Sequence, residues 1–312
     1  MRFIYLSLCF LTLVLFYTST VKAQEAQFFI AVREDCVNDP AASALYALDP
    51  ITGLSVPLGS IGFLGVTALE FLPDGRMIGS AAQDTDIRSA VLLEINPRTG
   101  AGSLIGTIGE NVPGECSRAP DLSVHPITGQ LYATGDQCEG GDFLQSVNPV
   151  TGAGSLIGTY APFDGGGNAL AISQDGIFFV TTCCETDRDT SELLIVDPNT
   201  GSPTDLGLLD VGEDYIVNAM AYNPVDGELY GTVVNFGGNE NPNNRKSIFV
   251  RINTDSVTAE KIADLPDCTD GLAIRIKQTT GIPTLSEWGL IAMAGILGIL
   301  GLMVLRRKKT TA

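Results

Sequence analysis

Asp49-Pro50-Ile51-Thr52-Gly53 returns as Asn96-Pro97-Arg98-Thr99-Gly100, as Asn148-Pro149-Val150-Thr151-Gly152 and as Asp197-Pro198-Asn199-Thr200-Gly201. A degenerate fifth copy stands at Asn253-Thr254-Asp255. The copies lie 47, 52, 49 and 56 residues apart, a spacing that suits a four-stranded propeller blade. Proline sets φ near the start of each copy and the closing glycine accepts a positive φ, so each predicts a hairpin turn. A second mark alternates with the first, at Pro73-Asp74-Gly75, Pro126-Ile127-Thr128-Gly129, Gln174-Asp175-Gly176 and Pro224-Val225-Asp226-Gly227. Alternating apolar segments flank it on both sides, which marks a second hairpin.

The strands follow from the turns. The second blade reads as 67–71, 76–81, 90–95 and 103–108, and the third to fifth repeat it. The segments 28–32, 44–48 and 55–59 make three strands of a first blade. Its missing innermost strand comes from the other end, Asp270-Gly271-Leu272-Ala273-Ile274-Arg275. Closing a ring with both ends of the chain leaves no unpaired edge. The fold class is therefore all-β, a β-propeller of five four-stranded blades over 24–277, with a sixth irregular blade as the alternative count. The repeats resemble those of secreted bacterial propellers of the quinoprotein/lactonase-like group, in pattern rather than in active-site motif.

The two ends carry targeting signals. Arg2 precedes an almost wholly apolar run from Phe3 to Phe16, and Val21-Lys22-Ala23 fits a cleavage site, so residues 1–23 read as a removed signal peptide. At the other end Ile282-Pro283-Thr284-Leu285-Ser286-Glu287-Trp288-Gly289 leads into an apolar stretch that ends at Leu305, followed by Arg306-Arg307-Lys308-Lys309. That stretch is just long enough for a transmembrane helix (289–305), and the basic tail (306–312) belongs on the cytoplasmic side. Residues 278–288 are the linker. This tripartite tail closely resembles the IPTL-CTERM sorting signal, with Ile282, Pro283, Thr284, Leu285, Trp288 and Gly289 as its recognisable residues. The resemblance implies processing by an exosortase, a membrane cysteine transpeptidase of Gram-negative bacteria, and delivery to the cell surface or its matrix. A permanent single-span anchor is the alternative, and either way the chain is exported.

The exported part keeps 12 of the 18 Lys+Arg and 35 of the 36 Asp+Glu, a net charge near −23. Such a surface repels polyanions, which excludes nucleic acid as a partner. Six of the seven cysteines survive signal removal, and export permits disulfides. The blade arrangement places Cys116 beside Cys138, and Cys36 beside Cys268 at the ring closure. Cys183 and Cys184 remain, as a vicinal bridge or a pair of reactive thiols.

Calcium is the one cofactor these residues suggest, at two places. Thr67, Asn168, Asn218 and Asp270 each open an innermost strand at the channel mouth, with Asp121 beside Pro120 in the third blade. Oxygen ligands converging there suit a hard cation, and the ring resembles that of calcium-dependent propeller lactonases. The second place is the alternating Glu185, Asp187 and Asp189, which lacks the glycine and terminal glutamate of an EF-hand. His125 is the only histidine and stands before a turn, which argues against a Ser-His-Asp triad. The glycine-rich stretch 99–107 recurs at 151–159 without a following lysine, so it is hairpin rather than phosphate loop. Three functions fit: a surface module that binds a protein, glycan or matrix ligand; a calcium-dependent, lactonase-like hydrolase; and a structural matrix component.

Overall fold

Each repeated turn is organised by its first side chain. Asp49 Oδ1 accepts the N–H groups of Ile51 (2.9 Å) and Thr52 (3.2 Å), and the Gly53 N–H returns to the Asp49 carbonyl (2.9 Å). Asn96, Asn148 and Asp197 hold their turns in the same way, as does Asn253 in the degenerate copy. His125 Nδ1 substitutes for such an oxygen, accepting from Ile127 (3.2 Å) and Thr128 (3.4 Å). The histidine is therefore a turn residue, as its position suggested.

The computed structural model describes residues 24–33, 41–82, 90–108, 119–135, 142–160, 166–183, 191–211, 215–235, 245–277, 297 and 299. Blade one holds β1 (Glu25–Val32), β2 (Ala44–Leu48) and β3 (Ser55–Ser60). Blade two is β4 (Val66–Phe71), β5 (Met77–Ala82), β6 (Ala90–Ile95) and β7 (Gly102–Ile108). Blade three is β8 (Leu122–Val124), β9 (Leu131–Gly135), β10 (Phe143–Val147) and β11 (Gly154–Thr159). Blade four is β12 (Gly166–Ile172), β13 (Phe178–Cys183), β14 (Ser191–Val196) and β15 (Pro203–Leu209). Blade five is β16 (Tyr215–Asn223), β17 (Glu228–Asn235), β18 (Ser247–Asn253) and β19 (Thr258–Leu265), and the final strand is β20 (Thr269–Lys277). The sheet order β20-β1-β2-β3 completes blade one with the C-terminal strand, so five blades close as the repeats predicted. Residues 26–276 form one compact unit. The other unit comprises 1–25 and 277–312; within it Lys277 Nζ pairs with Glu25 at 3.2 Å, and Leu297 and Ile299 are helical.

Side chains alternate between the two faces of each sheet, so the core divides into one cluster per seam. Leu45, Ile61, Leu69, Met77 and Leu93 fill the first seam, and Leu92, Leu122, Leu131 and Val147 the second. At the closing seam Phe28 sets its edge against Tyr230 and Phe249, which stack on each other at 5.4 Å. Each fully buried large side chain contributes roughly 1.5–3 kcal/mol.

Polar and backbone contacts repeat at the seams as well. Near the axis Ser43, Ser191 and Ser247, each at or just before the start of a third strand, accept an N–H from the next blade's first strand, at Val66, Val217 and Thr269. Second-strand hydroxyls donate the other way: Ser80 to the Ala119 carbonyl (2.5 Å), Thr134 to that of Asn168 (3.1 Å) and Thr232 to that of Asp270 (2.6 Å). At the rim a glycine of the outer strand lies against the Thr-Gly of the next blade's turn. A Cβ on Gly59 would stand 2.2 Å from the Thr99 carbonyl oxygen, on Gly106 2.0 Å from that of Thr151, and on Gly158 1.9 Å from that of Thr200. The turn repeat thus serves the neighbouring blade as much as its own. Two seams differ. Into the degenerate copy Gly207 has nothing within 4 Å, and Ala259 donates to the Asp210 carbonyl at 3.1 Å. From blade five into blade one the outer strand offers Ala263, whose Cβ lies against Gly53.

Candidate functional site

The innermost strands β4, β8, β12, β16 and β20 turn their free edges to the axis. An isolated blade would leave those edge N–H groups without acceptors. Register shifts in β4, β12 and β16 fall around Thr67, Asn168 and Asn218, and such bulges re-aim the inserted side chain. Asp270 occupies the matching position of β20.

Three of the five mouth residues meet. Asn168 Nδ2 donates to the Val217 carbonyl (2.6 Å) and to Asn218 Oδ1 (3.1 Å). Asn218 Nδ2 donates in turn to Asp270 Oδ1, and Arg33 Nη1 faces Asp270 Oδ2 at 3.3 Å. The result is a chain of polar contacts across blades four, five and one. Thr67 stands apart, with Ser80 Oγ at 3.2 Å and the Ala119 carbonyl at 3.5 Å. A calcium ion needs six to eight oxygens, so it would have to displace Arg33 and turn both amides over.

Asp121, beside Pro120 in the third blade, does not join that chain of contacts. The pairing Leu122 with Ala133 puts Asp121 in register with Ala68, Ala169 and Ala219, one residue further from the mouth. There it is fully buried. Its Oδ1 accepts from Leu122 (2.9 Å), and its Oδ2 accepts from both Leu170 (2.9 Å) and Met220 (3.0 Å). One carboxylate of blade three therefore supplies the edge acceptors of blades four and five.

Glu70 does similar work between blades two and three. Oε1 accepts from Phe71 (2.6 Å) and Oε2 from Val124 (3.0 Å), while Ser123 Oγ carries the pattern on to Ile172 (3.1 Å). Sequence reasoning missed Glu70 and Ser123. A signal existed, because Glu70 stands where the register of the other blades gives Ser123, Ala171 and Ala221.

Burial sets the electrostatics. It pushes the Asp121 carboxyl well above the usual range, against three N–H groups that favour the ionised form and with the charge of Glu70 adding to the rise. Burial lifts Glu70 to about 7, opposed by the Phe71 and Val124 N–H groups and the Ser123 hydroxyl. Asp270 is raised by burial too, with Arg33 and Asn218 pulling it back. A carboxyl raised in the folded state makes folding less favourable as it ionises. Stability from Glu70 is complete below its unfolded pKa near 4.5 and declines as pH rises to about 7. The loss is about 3 kcal/mol at most, a fall of roughly 6 °C in Tm between pH 5 and pH 8. Calorimetry across that range checks it, and Glu70→Gln should remove most of the slope. A wild-type Tm that stays flat or rises would refute the assignment.

The other candidates fall elsewhere. Glu185, Asp187 and Asp189 lie outside the described residues, as do Cys36, Cys116, Cys138 and Cys184, and with them both sides or one side of each expected bridge. Cys183 closes β13. Cys268 is buried at φ 63, donates to the Arg245 carbonyl and accepts from Arg33 (2.9 Å each), and its side chain is engaged. Among the described residues no three His, Cys, Asp or Glu cluster closely enough to hold a metal ion. No described helix is long and apolar enough to cross a membrane; of the expected span 289–305 only Leu297 and Ile299 are described.

With the geometry in place, comparison with known proteins adds the tail. Residues 280–307 match the IPTL-CTERM motif. An IPTL-CTERM signal implies export, sorting to the cell surface and processing by an exosortase-type enzyme. No curated protein matches the chain. Among solved structures, a GH43 β-1,3-galactosidase is similar in fold, with 12% identity, a TM-score of 0.53, and 77% of this chain and 90% of that chain covered. A 6-phosphogluconolactonase candidate of Bacteroides fragilis gives 11% identity and a TM-score of 0.44 over 82% and 99%. TolB of Acinetobacter baumannii gives 16% and 0.42; the match covers 80% of this chain and 66% of TolB. At such identities the likeness is one of fold.

Proposed function

We propose that this IPTL-CTERM protein is a binding module of a Gram-negative cell surface or matrix, whose contact surface is the mouth side of the propeller. Residues 1–23 are removed on export, 289–305 hold the precursor in the membrane, and the exosortase acts near Ile282–Leu285. The observation that carries the reading is the employment of the axial polar groups. Asp121, Glu70 and Ser123 are acceptors for blade edges, and Asn168, Asn218, Asp270 and Arg33 satisfy one another. These side chains hold the ring together rather than aiming at a common substrate atom, which leaves the loop face of the ring as the surface for recognition.

The calcium-dependent, lactonase-like hydrolase is the second reading, favoured by the meeting of Asn168, Asn218 and Asp270 at the mouth. One experiment separates the two. The full chain is melted across a calcium series from micromolar to 10 millimolar and assayed on a panel of lactones and esters, alongside Asn168→Ala and Asp270→Ala. A binding module shows a Tm shift under about 1 °C and no calcium-dependent turnover. A saturable micromolar shift with turnover, both lost in the variants, would establish the hydrolase instead.

A further inference from the structure

The two ends of the ring leave on one face, and that face has its own chemistry. β20 begins beside the mouth at Thr269 and runs away from it; β1 runs towards the mouth, where the Arg33 N–H meets the Cys268 carbonyl at 2.9 Å. The compact unit is therefore entered at Ala26 and left at Ile276 on the side opposite the mouth. All the short hairpin turns emerge on this side. Their fixed positions are the capping oxygen, the proline and the glycine, and the free positions often carry an aliphatic side chain. Ile51 is 84% exposed, Ile127 75%, Val150 73% and Leu54 65%, with Ile177 and Val225 at 40%. Single exposed aliphatics are ordinary on protein surfaces; a set of them on the face from which a membrane tether departs is not.

The tether is short. Residues 278–288 separate β20 from the apolar stretch, a reach of about 40 Å even when fully extended. At that reach a weak contact between the turn face and a bilayer becomes intramolecular and is favoured by high effective concentration. The turn carboxylates limit how deep the contact goes. Asp49 and Asp197 are held below the usual carboxylate range by N–H groups of their own turns, so they stay ionised and in water, and they oppose an anionic surface.

We propose that in the unprocessed chain the turn face rests on a zwitterionic phospholipid surface, its aliphatic tips at the headgroup boundary and its mouth directed away from the membrane. This rests on the reading of 289–305 as a membrane-crossing segment. The orientation holds the IPTL segment at the bilayer, where a membrane transpeptidase works, and turns the recognition face outward.

The test uses the full chain in phosphatidylcholine nanodiscs, with hydroxyl-radical footprinting of side chains. Ile127 and the rim residue Leu104, 75% and 61% exposed, would be oxidised at comparable rates on a free propeller. Quenching of Trp288, the sole tryptophan, by brominated lipid reports tail insertion independently. The proposal expects quenching together with at least threefold slower oxidation of Ile127 and Val150 than of Leu104. It also expects weaker protection when a third of the lipid is phosphatidylglycerol, and loss of protection at Ile51 in Ile127→Asp/Val150→Asp. Quenching with equal oxidation rates would overturn the orientation while leaving the tail reading intact. Absent quenching would overturn both, and stronger protection on phosphatidylglycerol would overturn the lipid class.

Discussion

Asp121→Ala should cost the fold about 4 kcal/mol, lowering Tm by roughly 10 °C. The substitution removes the acceptor of three buried N–H groups, from Leu122, Leu170 and Met220. Each orphaned donor costs about 1–3 kcal/mol, and water has poor access to a fully buried position. Part of the loss is returned because the charge of Glu70 is no longer opposed by a second buried carboxylate. Asp121→Asn separates the terms. With its oxygen in the Oδ2 position, asparagine keeps both inter-blade bonds and loses only the one to Leu122, so it should cost less than half as much. Urea unfolding of the two variants with unchanged m values measures this. A loss below 1 kcal/mol for the alanine would show that the carboxylate does not join the blades.

Gly158→Ala comes next, at about 3 kcal/mol. The added Cβ would meet the Thr200 carbonyl oxygen at 1.9 Å, and the obstacle is backbone on both sides of the seam. Neither the outer strand β15's neighbour turn nor β11 can yield without separating blades three and four. Gly75→Ala provides the comparison. It carries the conformational penalty of φ 88 but has nothing within 4 Å, so it should cost about 1 kcal/mol. Equal Tm losses for the two would mean that the seam contact is incidental. Gly106→Ala, at 2.0 Å from the Thr151 oxygen, should follow Gly158→Ala.

The architecture was legible because its signals are local and repeated. An asparagine or aspartate, a proline and a glycine at fixed offsets specify a turn wherever they occur, and the intervals between copies count the blades. Ring closure by Asp270–Arg275 was legible for a related reason, since an inner strand was missing at one end and a surplus strand stood at the other. The axis was harder to read. Asn168, Asn218 and Asp270 share a blade position, and the structure does bring them together. Asp121, one residue inward beside Pro120, gave no sign in the sequence that its carboxylate accepts from the strand edges of blades four and five. Glu70 looked like one acid among many in a chain of high negative charge. What distinguishes it is the N–H of Val124, 54 residues away, and single-sequence patterns carry no information about such long-range pairings. The rim glycines were visible as part of a repeated phrase, but its reason lies in the next blade.

The composition of blade one also sets an order of events. Its inner strand is supplied by the far end of the chain: Arg275 reaches Gln27 across 248 positions of sequence. On the proposed export through an N-terminal signal, the chain would deliver Gln27 early and Arg275 almost last. The first blade must wait, three strands wide, until nearly the whole ectodomain has emerged. Contacts so distant in sequence make for slow closure, and the segment that follows β20 after only a short linker is the one the sorting enzyme reads. Completion of translocation, locking of the ring and arrival of the cleavage signal are thus brought close together in time by the position of one strand.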